Sequence, residues 1–286
     1  MLMVAAPFIA LFLAAAAVWS PAPRWLVPGL LVIAYGAALA GGQITPLAAI
    51  PLALLLAAAA AVAPNRRAWM RYAGHALFIA LAVALSLHWL PGFHNPRVIG
   101  PERLSAEAIP FTMYLNLDKP LVGFWLLLAW PWTRPRLETL ASVKAGMASL
   151  AGTTIVCLLL ALALGMVRWE PKWPSSTWLF MLNNLLLVTM TEEALFRGYV
   201  QGGLSRLFNR FAYGDIIALI IAALVFGLAH FPGGWHWIVL ASMAGIGYGL
   251  AYRFGGLAAA IVAHFGLNAA HFLLFTYPML QAQGAS

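Results

Sequence analysis

In the run LLLVTMTEEALFRGYV, residues 185–200, three ionisable side chains interrupt an otherwise apolar sequence: Glu192, Glu193 and Arg197. On a helix, residues three or four apart share a face, whereas adjacent residues diverge by about 100°. Arg197 stands one turn beyond Glu193, with the acid nearer the N-terminus, so the two can neutralise each other. Glu192 points elsewhere and has no cation on its own helix. Two further polar sets follow. FGLAH puts Phe226 and His230 on one face, and HFGLNAAH puts His264 and Asn268 one turn apart with His271 three residues further along. Glu192 and His230 are 38 residues apart and His230 and His264 are 34 apart, separations that can bring three successive helices around one core. A carboxylate facing two imidazoles and an amide can activate water and hold an oxyanion. It can also relay protons, or supply Glu192, His230 and His264 as the His₂Glu set of a catalytic zinc site.

The elements that carry these residues must live in lipid. The chain has 286 residues, 63% of them hydrophobic and 8% charged, with a mean hydropathy of +0.88. No soluble domain of this length hides so much apolar surface, and continuous rather than alternating apolar runs exclude a β-barrel. The expected fold is all-α, a polytopic helical membrane protein of about 8–10 transmembrane helices. Apolar segments fall at 2–19, 25–41, 46–63, 72–90, 115–132, 145–167, 178–206, 214–231, 235–252 and 256–277, of which 25–41 and 115–132 are short or broken. All the chemistry-bearing motifs lie within 178–277. The expected division is therefore an N-terminal set of helices, 1–144, without an assignable role, and a C-terminal four-helix catalytic core within 145–286.

The net charge of +8 does not cluster as a nucleic-acid surface would require, so no nucleic-acid partner is expected. The basic residues sit in ones and twos between apolar runs. With ten spans, Arg24, Arg66, Arg67, Arg71, Arg134, Arg136, Lys144, Arg206, Arg210 and Arg253 face one side, and Arg97, Arg103, Lys119, Arg168 and Lys172 the other. The first, richer set is expected to be cytoplasmic, with both termini outside. The N-terminal run lacks a basic leader and reads as a span rather than a cleaved signal. The single cysteine, Cys157, lies in an apolar run and reads as packing. So do Gly245 and Gly249, a small-xxx-small pair that lets a neighbouring helix approach. The polar stretch 90–120 reads as a connector rather than a substrate lid, and His236, between Trp235 and Trp237, as an interfacial residue.

Taken in order, EEALFR (Glu192 to Arg197), FGLAH (Phe226 to His230) and HFGLN (His264 to Asn268) resemble the EExxxR, FxxxH and HxxxN motifs of the CPBP intramembrane proteases. This is the Abi or CAAX-protease family, with its CAAX prenyl endopeptidases and bacteriocin-immunity and bacteriocin-processing members. The resemblance covers a little over a third of the chain. It implies a membrane endopeptidase whose reacting groups are Glu192, His230, His264 and Asn268, with Glu193, Arg197 and Phe226 in support. Glu192 would then activate water, His230 would share or align it, and His264 and Asn268 would donate to the oxyanion. The cofactor would be none or one divalent metal, zinc, held by Glu192, His230 and His264; the metal-free version is preferred. His271 lies outside the motif and is expected to be structural. The implied partners are the lipid bilayer and a membrane-associated peptide or protein substrate, and the implied location is a bacterial inner membrane. Two rival readings use the same residues: a non-catalytic scaffold or immunity protein, and an ion-coupled transporter. The absence of a visible repeat disfavours the transporter.

Overall fold

The computed structural model describes residues 2–21, 23, 25–130 and 139–281. Arg24, Arg134 and Arg136, and the last two residues of the apolar segment 115–132, lie outside the described residues. By packing, the chain divides into two units, one of residues 1–96 and 114–131, the other of residues 97–113 and 132–286. The described elements are helices apart from one small hairpin, as the continuous apolar runs require.

In the first unit, α1 (Leu2–Ala17) packs on α2 (Leu26–Ala40), and α3 (Ala49–Ala61) packs on α4 (Ala68–Ser86). Helix α5 (Lys119–Ala129) starts at Asp118, whose Oδ1 accepts from Lys119 N at 2.8 Å, and carries Pro120 in its first turn. Eleven residues span only about 16 Å, half the hydrocarbon thickness. The helix is instead interior to its unit: Trp125 Nε1 donates to Leu55 O at 2.8 Å and its ring stacks on Phe78 at 3.9 Å.

The second unit contains α6 (Leu140–Ala163), α7 (Thr177–Leu207), α8 (Gly214–Leu228) and α9 (Trp235–Leu274). Together with α4, helices α6, α7 and α9 are long and apolar enough to cross a membrane. The α9 stretch joins the apolar segments 235–252 and 256–277 into one element, broken at Gly256, where φ is +80° and only glycine is unstrained. Small residues let these helices close. A Cβ at Gly146 would lie 3.1 Å from Ala259 Cβ, and one at Gly245 would lie 3.0 Å from Ala223 Cα. Gly245 and Gly249 thus serve the packing expected of them.

Residues 97–114 form a hairpin of β1 (Arg97–Glu102) and β2 (Phe111–Tyr114), not a plain connector. Its apolar face, Ile99 and Met113, joins a cluster with Phe180 and Phe272, which stack at 3.9 Å. The segment after α9 runs extended between two neighbours. Thr276 N donates to Arg168 O and Leu280 N to Met166 O on one side; Ile109 N donates to Met279 O and Gln281 N to Glu107 O on the other. An Arg168–Glu107 ion pair joins these two neighbours. Lys172 Nζ donates to Phe275 O, and burial pushes its ammonium below the ordinary lysine range. Three stretches far apart in sequence thus form one irregular cap.

Substituting Gly245→Val is expected to destabilise the α8–α9 contact by about 1–3 kcal/mol, because Ala223 backbone has no room to yield. Thermal unfolding in detergent should show a lowered midpoint, with Gly203→Val, where open space surrounds the site, as the comparison.

Candidate active site in the C-terminal unit

Helix α7 is not a uniform α-helix. Asn184–Thr189 and Ala194–Gln201 wind as π-helix, with an α-helical turn, Met190–Glu193, between them. Wider turns of this kind recur at functional sites because they shift the phase of side chains along a helix. Here they flank the acidic pair. Glu192 lies at the centre of α7, fifteen residues from each end, which is about 20 Å at the helical rise.

Glu193 and Arg197 are both fully buried, and Arg197 Nε stands 3.0 Å from Glu193 Oε2. The approach lacks the direction of a hydrogen bond, and the guanidinium nitrogens have no hydrogen-bond acceptor, so the contact is electrostatic. Aromatic faces take up the rest of the cation: its carbon lies 4.8 Å from the Phe226 centroid and 5.6 Å from that of Tyr248. The other Glu193 oxygen, Oε1, accepts from His264 Nδ1 at 2.8 Å. Glu193 is therefore more than the partner of Arg197, because it also fixes the imidazole of α9. With Nδ1–H committed to a carboxylate, His264 turns Nε2 to the opposite side, where Glu192 Oε2 lies 3.9 Å away. That distance exceeds a hydrogen bond, so the imidazole and the Glu192 carboxylate face each other as an ion pair without a direct bond. Glu192 keeps 14% side-chain exposure, against none for Glu193.

His230 caps the end of α8. Its Nδ1 lies 2.8 Å from Phe226 O, a carbonyl that can only accept, so Nδ1 carries the proton and Nε2 is the available nitrogen. The Phe226 ring bridges two histidines, 4.7 Å from His230 and 5.6 Å edge-on from His264. Asn268 Nδ2 donates to Asn184 Oδ1 at 3.3 Å, which orients the amide. His230, His264, Asn268 and His271 line one cavity of about 90 Å³, room for several waters. Cys157 is buried in its wall, and its thiol is 4.0 Å from Leu240 O. His271 sits edge-on to Tyr277 at 4.9 Å, while His236 stacks on Trp235 at 3.7 Å, outside this cavity.

Phe226, His230, His264 and Asn268 thus meet around one cavity of α8 and α9, while Glu192 of α7 faces His264 from outside that cavity's lining. Among the described residues, no three His, Cys, Asp or Glu side chains stand close enough to hold a metal ion. Glu192, His230 and His264 do not converge as a zinc cage. Sequence reasoning missed Asn184, which holds Asn268, and Tyr248, whose ring lies flat on His264 at 4.4 Å and 13°. Each had a faint signal: a pair of asparagines in an apolar run, and a phenol within the glycine pair of GIGYG.

Residues 173–270 match the family model described as type II CAAX prenyl endopeptidase Rce1-like. This segment is similar to the CAAX-protease family. The match covers about a third of the chain and contains every residue of the three motifs, in agreement with the resemblance read from them. No curated protein and no solved structure matches the chain.

Removing Arg197 alone (Arg197→Met) leaves the Glu193 carboxylate buried beside His264 without its cation, and is expected to cost about 3–5 kcal/mol. The double variant Glu193→Gln with Arg197→Met should recover part of that loss in thermal unfolding. Additive destabilisation would show that the two residues act independently.

Proposed function

We propose that this chain is an intramembrane endopeptidase that hydrolyses a peptide bond of a membrane-associated protein or peptide, with Glu192 activating the water. The observation that carries this reading is the buried Glu193–His264 bond, which leaves His264 Nε2 facing the Glu192 carboxylate at 3.9 Å. The family match supports the broad class, a CAAX-type membrane endopeptidase.

In this mechanism Glu192 takes a proton from a water as its oxygen attacks the scissile carbonyl. His230, with Nε2 free to accept, holds the water in line. The carbonyl oxygen becomes an oxyanion and receives hydrogen bonds from Asn268 Nδ2 and from His264 Nε2–H, with Glu193 supporting the positive imidazole. The proton on Glu192 then passes to the leaving amine, and the carboxylate is restored. Asn184 and Tyr248 touch no reacting atom; they hold Asn268 and His264 in place. The chemistry uses only this chain's side chains, without a metal. The catalytic unit is assigned to 145–286 within an integral membrane protein, and the compact basic loops fit a bacterial plasma membrane. A prenylated tail is one substrate the family description names; a membrane-bound precursor peptide has the same chemistry at the scissile bond.

Comparing membrane proteomes of wild-type and Glu192→Gln cells should reveal a precursor that accumulates only in the variant, with cleavage lowered about 10²- to 10⁴-fold on purified protein. Asn268→Ala should lower turnover about 10²- to 10³-fold with a smaller effect on substrate binding. Full activity of Glu192→Gln would overturn the mechanism. Activity lost on chelation and restored by zinc would replace water activation by Glu192 with metal catalysis.

A further inference from the structure

The cavity that His230, His264, Asn268 and His271 line reaches the cap, where Val167, Pro278 and Met279 form part of its wall. There two side chains, Met166 and Met279, line both the inner cavity and an open cleft of about 690 Å³. The cleft is polar at its rim, with Glu107, Arg168, His236 and Gln281 among its walls. We propose that Met166 and Met279 form the gate through which water and peptide pass from this polar cleft to the buried histidines, with Met279 setting what can pass. The assignment of the inner cavity as the reaction chamber rests on the proposed proteolysis; the gate itself does not.

Three observations carry the gate. First, the backbone around Met279 is held on both sides: Leu280 N donates to Met166 O at 2.8 Å, Ile109 N to Met279 O at 3.0 Å and Gln281 N to Glu107 O at 2.8 Å. Opening by main-chain movement would break these bonds, whereas opening by side-chain rotation breaks none. Second, both wall residues are methionines, unbranched thioethers with three rotatable bonds that re-pack at little cost. Third, Met279 has one weak directional contact, Trp237 Nε1 donating to Sδ at 3.5 Å. Trp237 itself lines the inner cavity, so this contact acts as a light latch on its inner side. A leucine or phenylalanine pair would seal the same wall more rigidly.

The chain supplies its own reporter. Cys157 is its sole cysteine and lies on the inner cavity wall. In the full-length protein in detergent or proteoliposomes, its modification by a small cationic methanethiosulfonate measures aqueous access to the cavity. Met279→Ala is expected to be modified about fivefold faster than wild type and Met279→Trp about fivefold slower. Leu280→Ala, which widens the cleft without touching the shared wall, should keep the wild-type rate, and Cys157→Ala should give no signal. Unfolding temperatures near wild type establish that each variant is folded. Equal rates in wild type and both Met279 variants would overturn the gate. So would Leu280→Ala labelling as fast as Met279→Ala, because the tail would then have come away as a whole. Labelling requires no hydrolysis, so a chain that cleaves nothing can still uphold the gate, and a cleaving chain with rates indifferent to Met279 loses the gate alone.

Discussion

One buried carboxylate organises the C-terminal unit. Glu193 meets a guanidinium on one oxygen and an imidazole on the other, and all three groups are withdrawn from solvent. In a low-dielectric interior such charges are tolerable only as a set, because each removed member leaves its neighbours uncompensated. The set ties α7 to α9, and α8 is drawn in because the Phe226 ring covers Arg197 and touches both His230 and His264. The orientation of the neighbouring side chains follows. Once His264 Nδ1 is committed to Glu193, its other nitrogen can face only the side on which Glu192 sits.

The adjacent glutamates thus differ in solvent contact as well as in direction. Glu193 is sealed, hydrogen-bonded on one oxygen and ion-paired on the other, while Glu192 retains partial exposure at the middle of a long helix. Burial of the first makes a rigid frame; the second is left partly exposed. This asymmetry is what a site needs that must hold one imidazole still and still admit a reactant. The paired asparagines and Tyr248 add rigidity without adding charge, which suits a setting where extra charge is costly.

Much of this was legible in the sequence, for definite reasons. Helical spacing separated Glu192 from the Glu193–Arg197 pair, since i,i+4 neighbours are fixed by local geometry alone. The ordered motifs pointed to the same family model that matches residues 173–270, because residue type and sequence order survive without knowledge of packing. The apolar runs marked the helices, down to the break near Gly256. What stayed hidden depends on contacts across long separations. Nothing local shows that Glu193 reaches His264, 71 residues away, or that Asn184 holds Asn268. The π-helical turns of α7 also escaped, because reading at 3.6 residues per turn assumes the regularity that these turns break. The hairpin at 97–114 was obscured by its Pro- and Gly-rich composition, and its apolar face has meaning only against Phe180 and Phe272.

The cap has a consequence for the order in which the molecule is assembled. The pairing of Ala108 with Leu280 closes a loop of more than 170 residues, far longer than the separations that join α7 to α9. Loop-closure entropy must be met before such a contact gives any return, so high contact order delays it. The charged frame can form as soon as α9 has inserted, whereas the cap waits for a segment that leaves the ribosome after every described helix. The cap over this unit is thus completed late. During synthesis the newly made core passes through a stage in which its histidines are assembled but not yet sheltered.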